Sequence, residues 1–317
     1  MASSIDIVIV NWNAGPQLFQ CLESIAAARR NTVHLLRTVI VDNASTDGSI
    51  SRTDTMGLPL TIIRNDRNRG FAMACNQGAK GSAAAYLLFL NPDTSLLTDS
   101  LAQPLAFMEQ PENQHIGIVG IQILDTAGRI APTCARFPTP GRFLAKMVGL
   151  DRGLPSVFPP HFMVEWDHRQ SREVDQVMGA FFLIRRSVFE ALGGFDERFF
   201  VYFEEVDLSL RARALGWRTF YLSSVQAYHH GSGPVTKQAT AARLFYSLRS
   251  RILYAHKHFN PGMATLVTLG TLFLEPVSRL LVALVRRSPS QLAETVKAYA
   301  LLWRAITGRL VRRADGA

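Results

Sequence analysis

The chain has 317 residues, 48% of them hydrophobic and 19% charged, which excludes a disordered polypeptide and allows a sizeable core. The net charge of +9 is unevenly spread: from Thr236 onward 13 Lys/Arg face 3 Asp/Glu, so the first 235 residues sum to about −1. Cys21, Cys75 and Cys134 are scattered without metal-site spacing, which points to a reducing cytosolic environment, and the opening MASSIDIVIV lacks the basic segment and long apolar core of a secretory signal.

In chain order, residues 5–10 (IDIVIV) form an apolar run ended by Asn11, Trp12 and Asn13, and predict a buried first strand. Leu18, Cys21, Leu22 and Ile25 then mark an amphipathic helix. Residues 38–41 predict a second strand, ending in the polar run from Asp42 to Gly48. Residues 60–63 predict a third, followed by a polar loop (64–70) and a helix from Phe71 that carries Asn76. Residues 86–90 (YLLFL) predict a fourth, ending at Asn91-Pro92-Asp93. Four repeats of strand, polar loop and helix predict an α/β fold with a parallel, helix-covered sheet. Their polar residues fall just after the strands' carboxyl ends, where open α/β sheets bind ligands, so this half reads as nucleotide-binding.

Residues 101–108 predict another helix and 116–123 another strand. Residues 131–168 are irregular and rich in proline and aromatics, either a substrate-facing flap or a passive excursion. Sheet character resumes over 174–184, and 217–222 predict a short final strand ahead of His229 and His230. A helix over 237–259 carries Arg243, Arg249, Arg251 and Lys257. Residues 263–285 are long enough to span a membrane. Yet Thr268, Thr271, Glu275 and Arg279 recur at helical spacing as one polar stripe, and Pro276 interrupts it, so the segment reads as an interfacial or core helix. In residues 292–310, Val296, Tyr299, Leu302, Trp303 and Ile306 oppose Lys297, Arg304 and Arg309, with Arg312 and Arg313 following. This basic tail either packs on the body or anchors it at an anionic membrane; its apolar companions favour lipid over nucleic acid.

The unusual chemistry is concentrated in residues 179–211. Glu204, Glu205 and Asp207 sit among Phe199, Phe200, Tyr202, Phe203 and Val206, just ahead of an Arg-bearing helix. Burying such carboxylates is costly unless something pairs with them, while helix starts also collect acids for structural reasons. Asp93, after an apolar strand, suits a divalent cation or a helix cap, and Asp42 a ribose contact or a cap. His229 and His230 are either metal ligands or loop residues. No G-x-G-x-x-G, Walker A, G-x-S-x-G or zinc signature is present.

Together the stretches IVIVNWN (7–13), VIVDNASTDGS (39–49), RNRGFAMACNQG (67–78), LFLNPD (88–93), residues 179–217 and HHGSG (229–233) resemble the family 2 inverting glycosyltransferases of GT-A fold. Within that family the chain looks most like bacterial rhamnosyltransferases of surface-polysaccharide synthesis. The resemblance implies a glycosyltransferase domain over 1–235, with a central mostly parallel sheet and helices on both faces. A basic, membrane-associating extension of amphipathic helices follows over 236–317. It implies a nucleotide-sugar pocket lined by Asn11, Asn13, Asp42, Asn68, Gly70, Phe71, Asn76, Asn91 and Asp93. Asp93 stands at the last aspartate of the family's DxD motif, whose first acid is here Asn91. Asp93 with His229 or His230 would hold Mg²⁺ or Mn²⁺. Glu205 takes the place of the family's catalytic base, usually aspartate, with Glu204 the neighbouring contender and Asp207 organising the site. Gly179, Arg211 and Trp217 would contact acceptor or phosphate. The reaction implied is transfer of L-rhamnose from dTDP-β-L-rhamnose to a polyprenyl diphosphate-linked saccharide, by a peripheral protein at the cytoplasmic face of the inner membrane. No nucleic acid is implied, and a homodimer is compatible. The rival readings are a UDP-sugar donor, such as galactofuranose or a hexose, and a non-enzymatic carbohydrate- or nucleotide-binding module.

Overall fold

The computed structural model describes residues 3–29, 33–52, 57–231 and 240–314. Ser232, Gly233 and Lys237, and the side chains of Arg309, Arg312 and Arg313, lie outside the described residues. The elements are β1 (Ser3–Asn11), α1 (Gln17–Ala28), β2 (Val33–Asp42), β3 (Leu60–Arg64), α2 (Phe71–Ala79), β4 (Tyr86–Leu90), β5 (Thr94–Leu96), α3 (Ala102–Glu109), β6 (Ile116–Leu124), β7 (Cys134–Ala135), α4 (Pro140–Met147), α5 (Leu150–Gly153), β8 (Arg172–Val174), β9 (Gln176–Val177), β10 (Phe181–Arg185), α6 (Arg186–Ala191), α7 (Glu204–Ala214), β11 (Arg218–His229), α8 (Thr240–His258), α9 (Pro261–Leu269), α10 (Glu275–Val285) and α11 (Pro289–Ala314). They divide into two compact units: Met1–Phe137, Phe162–Phe200 and Glu204–Val235 form one, and Pro138–His161, Val201–Phe203 and Thr236–Ala317 the other.

The first unit is built on a nine-stranded sheet in the order β3-β2-β1-β4-β10-β6-β11-β5, with β8 also pairing to β11. Strands β3, β2, β1, β4, β6 and β11 run one way; β10, β5 and β8 run against them. Alternation along β1 sends Ile5, Ile7 and Ile9 into one core, with Leu18, Leu22 and Ile25 of α1. Val8 and Val10 enter a second core on the other face, with Ala72 and Cys75 of α2 and Val188 of α6. Helix α2 lies tight on the sheet because Gly78 has no side chain: a Cβ there would stand 2.4 Å from Val8 Cγ1.

Three sequence expectations change, two of them in the sheet. Among the described residues, the link between β2 and β3 holds only a 3₁₀ turn (Ser49–Arg52), so no helix follows β2 there. The last strand runs to His229 rather than Leu222, because a bulge between Leu222 and Gln226 lets pairing with β6 resume after Ser223 and Ser224 break the apolar pattern. The segment 131–168 is tied down at its end by His168, at φ 57°. Its backbone carbonyl accepts from Gln122 and Tyr221, its Nε2 accepts from the Cys134 amide, and its ring stacks on Trp166.

The second unit is helical. Phe143 of α4 packs with Phe203, Tyr254 and Phe259. Residues 261–285 form one helical rod, with a π-turn (Gly270–Leu274) joining α9 to α10. Pro276 therefore does not interrupt the helix, since the wider turn ahead of it absorbs the missing N–H and the ring clash.

Candidate active site

The carboxyl ends of β1, β2 and β4 and the start of β10 lie at one end of the sheet, because β1, β2 and β4 are parallel and β10 opposes β4, pairing Phe181 with Leu90. The loops there are held by polar side chains. The Asn11 amide, fully buried, donates to Asp42 Oδ1 (2.8 Å), Ser45 Oγ (3.0 Å) and Ser49 Oγ (2.9 Å), tying the end of β1 to the loop after β2. Asn13, at φ 53°, accepts from the Thr46 amide at 2.7 Å. Asp47 accepts from the Gly15 amide and from Ser49; these bonds outweigh partial burial and hold its carboxyl below the usual range. Asp47 and Asn43 were not among the expected site residues. Their signal is the turn chemistry of NASTDGS, in which short polar side chains bond nearby backbone.

Asn43 donates to the Gly70 carbonyl and accepts from Asn65, and Asn68 accepts from the Gly70 amide. Gly70 has φ 87°, and a Cβ there would lie 2.5 Å from the Phe200 carbonyl oxygen. The adjacent Phe71 amide donates to that same oxygen at 2.6 Å. The start of α2 is thereby fastened four residues ahead of Glu204.

Asn76 is bonded within the fold. Its Oδ1 accepts from the Phe195 amide, and its Nδ2 donates to the Phe195 carbonyl and to Glu197. Arg211 donates to Asp207 (2.8 Å) and to the carbonyls of Leu192 (2.7 Å) and Gly194 (2.8 Å), so Asp207, fully buried, and Arg211 together brace the Gly193-Gly194 turn. Trp217 is not brought to this end. It precedes β11 and packs over Gly117, whereas His229 closes the same strand twelve residues later. Gly179 does lie beside the site: it precedes Ala180, whose carbonyl accepts from the Asn91 amide and Thr94 Oγ1, and nothing stands within 4 Å of where its Cβ would be.

Asp93 and His229 meet where β4 and β11 end, with Oδ1 and Nε2 3.1 Å apart and the Asn91 amide 3.4 Å from the same nitrogen. Burial opposes ionisation of Asp93, but His229 outweighs it and keeps the carboxyl below its usual range. His230 is directed elsewhere, its Nε2 3.1 Å from Ser95 Oγ. Among the described residues no three His, Cys, Asp or Glu side chains converge. Asp93 and His229 thus offer one oxygen and one nitrogen ligand to a divalent cation, and a diphosphate would have to supply further oxygens.

Helix α7 opens on Glu204 and Glu205, directly after Tyr202 (φ 68°) and Phe203 (φ 72°), two consecutive left-handed residues. Glu204 is buried and Glu205 half-buried; the Oε2 of each is shielded from solvent with no hydrogen-bond partner among the described residues. Burial, and then the charge of Glu205, push Glu204 well above its normal range, and burial pushes Glu205 up to about 6. The pair sits against α2, since the Cys75 thiol is raised by burial and then by both carboxylates. Such a group, unpaired and able to take a proton near neutral pH, has the properties of a general base.

A profile of the glycosyl transferase family 2 matches residues 6–193. The chain belongs to that family. It is a glycosyltransferase, and its architecture is the GT-A fold. It is 26% identical, over 81% of its length and 86% of the relative's, to an N-acetylglucosaminyl-diphospho-decaprenol L-rhamnosyltransferase of Mycobacterium tuberculosis. It is 25% identical, over 83% of its length and 79% of the relative's, to the low-salt glycan biosynthesis hexosyltransferase Agl10 of Haloferax volcanii. Its fold matches the mannosyltransferase of Pyrobaculum calidifontis solved with GDP-Man and Mn²⁺, with TM-score 0.56 at 15% identity, over 94% of this chain and 86% of that one.

Proposed function

We propose that this glycosyltransferase transfers L-rhamnose from dTDP-β-L-rhamnose, with inversion, to a hydroxyl of a polyprenyl diphosphate-linked saccharide at the cytoplasmic face of the inner membrane. The observation that carries the chemistry is Glu205, a carboxylate at the start of α7 whose shielded Oε2 has no hydrogen-bond partner among the described residues and which burial pushes upward. The transferred sugar and the lipid-linked acceptor rest on the mycobacterial relative's name, and the dTDP carrier on the family resemblance alone. The acceptor hydroxyl attacks the anomeric carbon and Glu205 takes its proton, while the bond to the nucleoside diphosphate breaks with its electron pair on the phosphate oxygen. One in-line displacement inverts the anomeric centre.

Asn13, Asp42 and the loop from Asn68 to Phe71 form the nucleotide side, with Asn11 locking Asp42 from behind. Asn91, Asp93 and Gly179 face the sugar and diphosphate. Asp93 and His229 would hold Mg²⁺ or Mn²⁺, which neutralises the departing diphosphate when bound. Glu204, beside Glu205, is pushed well above the ordinary carboxylate range by burial and then by the charge of Glu205.

The deciding experiment is a donor screen by nucleoside diphosphate release, with and without Mg²⁺ or Mn²⁺, using a lipid-linked acceptor. Release and transfer with dTDP-rhamnose are expected. Transfer only with a UDP- or GDP-hexose would replace the rhamnosyl reading with the hexosyl one that the haloarchaeal relative's name favours. No transfer with any donor would leave a binding module.

A further inference from the structure

The rod from Pro261 to Val285 is inside out. A helix on a water-facing surface normally buries its apolar stripe and exposes its polar one. Here the polar stripe faces the protein: Thr271 is fully buried, and Glu275, 2% exposed, is bound by Arg251 of α8 and by Arg279. On the same side Gly270 backs onto Met147 of α4, and Ser278 donates to the Met147 carbonyl. The side facing away is a row at four-residue spacing, Leu269, Phe273, Val277, Leu281 and Val285, with exposures of 49%, 56%, 54%, 57% and 85%. Trp303 of α11 extends the row, its ring meeting Phe273 edge-on at 5.7 Å. So long an uncovered apolar row implies an apolar partner.

The charge around the row selects that partner. Arg286 and Arg287 follow Val285, and Lys297 and Arg304 flank Trp303 on α11; all four are exposed. A second copy of the chain would bring these like charges together, whereas anionic headgroups would neutralise them. A tryptophan at the edge of the row suits the headgroup boundary. The ion pair of Glu275 with Arg251 and the bond from Ser278 to the Met147 carbonyl hold one side of the rod to the helical unit, so only the other side is free to enter lipid.

We infer that the row Leu269–Phe273–Val277–Leu281–Val285 lies in the plane of an anionic bilayer, embedded to the acyl boundary, with Arg286, Arg287, Lys297 and Arg304 on the headgroups and no crossing of the membrane. This deepens the lipid-linked acceptor of the proposed function and rests on that reading only for its purpose.

Partitioning of the full chain onto vesicles of phosphatidylcholine, with and without phosphatidylglycerol, tests the assignment. Phe273→Glu combined with Leu281→Glu is expected to weaken binding at least about tenfold, because two side chains leave the acyl region and two charges enter it. Arg286→Gln with Arg287→Gln should cost about fivefold per residue on anionic vesicles and far less on neutral ones. Both pairs are expected to keep the parent's thermal midpoint and its nucleoside diphosphate release with a soluble short-chain acceptor, and alkaline carbonate should strip the parent from membranes. Undiminished binding of the Phe273/Leu281 pair, resistance to carbonate, or a solution dimer lost in that pair without vesicle binding would each overturn the inference. A parent that binds vesicles in this way but transfers no sugar would overturn the proposed function and leave the surface assignment standing.

Discussion

Glu205 combines a poor place for a charge with a clear use for one. Its shielded Oε2 has no partner, and burial raises the carboxyl from its ordinary 4.5 to about 6. Glu205→Gln is expected to lower kcat by about 10²–10⁴-fold with nucleotide-sugar affinity retained, measured by single-turnover transfer and donor titration. For the parent, kcat/KM should climb through about pH 6 as the carboxyl ionises. The stability effect has the opposite sense. The folded value lies above the unfolded one, so the neutral carboxyl's contribution is fully present below about pH 4.5 and is lost as pH rises through about 6. Glu205→Gln should therefore be more stable than the parent above about pH 7, read by urea unfolding. The three acids of EEVD were legible as an anomaly among aromatics, and the family resemblance implied roles for them, but which of them is paired was not legible. Asp207 is consumed by Arg211, a contact on one helix face at i, i+4, while Glu204 and Glu205 remain without such a partner.

At the scale of elements, function depends on loops fastened to one another across the chain. The loop before α2 is seated on the Phe200 carbonyl through Gly70 and Phe71. Gly70→Ala places a Cβ against that carbonyl at a positive φ; about 1–3 kcal/mol of stability should be lost and KM for the donor should rise, read by thermal melting and initial rates. Gly179→Ala, with open space around its Cβ and no positive φ, is expected to leave stability unchanged within about 0.5 kcal/mol. The apolar runs of β1 and β4 were legible because each is buried on both faces, which leaves a continuous hydrophobic stretch. The far half of β11 was not, because its bulge interrupts the alternation that marks a strand. The partner of Asn76 was not legible either: its place in a family motif implied a ligand contact, and in the structure both ends of its amide bond Phe195.

At the scale of the molecule, the helical unit is not a simple tail. It includes Pro138–His161 and Val201–Phe203, so α4 shares its aromatic core with α8. Truncation after Val235 would leave Phe143, Phe203 and Met147 uncovered; the shortened chain is expected to aggregate, seen as loss of the monomer peak in size exclusion, rather than behave as a soluble transferase. The sequence by itself determined the sheet-forming runs, the polar loops at their ends and the basic, apolar character of the C-terminal third, since each is a pattern of neighbouring residues. Only the tertiary structure decided which partners Asn76, Asp207 and Arg211 bond, that Trp217 lies at the other end of β11 from His229, and that the polar stripe of the C-terminal rod faces inward. Those outcomes depend on partners far away in the chain: Phe195 for Asn76, the Leu192 and Gly194 carbonyls for Arg211, and Arg251 for Glu275. Periodicity states that a helix has two faces; which face meets protein is settled by the side chain waiting on the neighbouring helix.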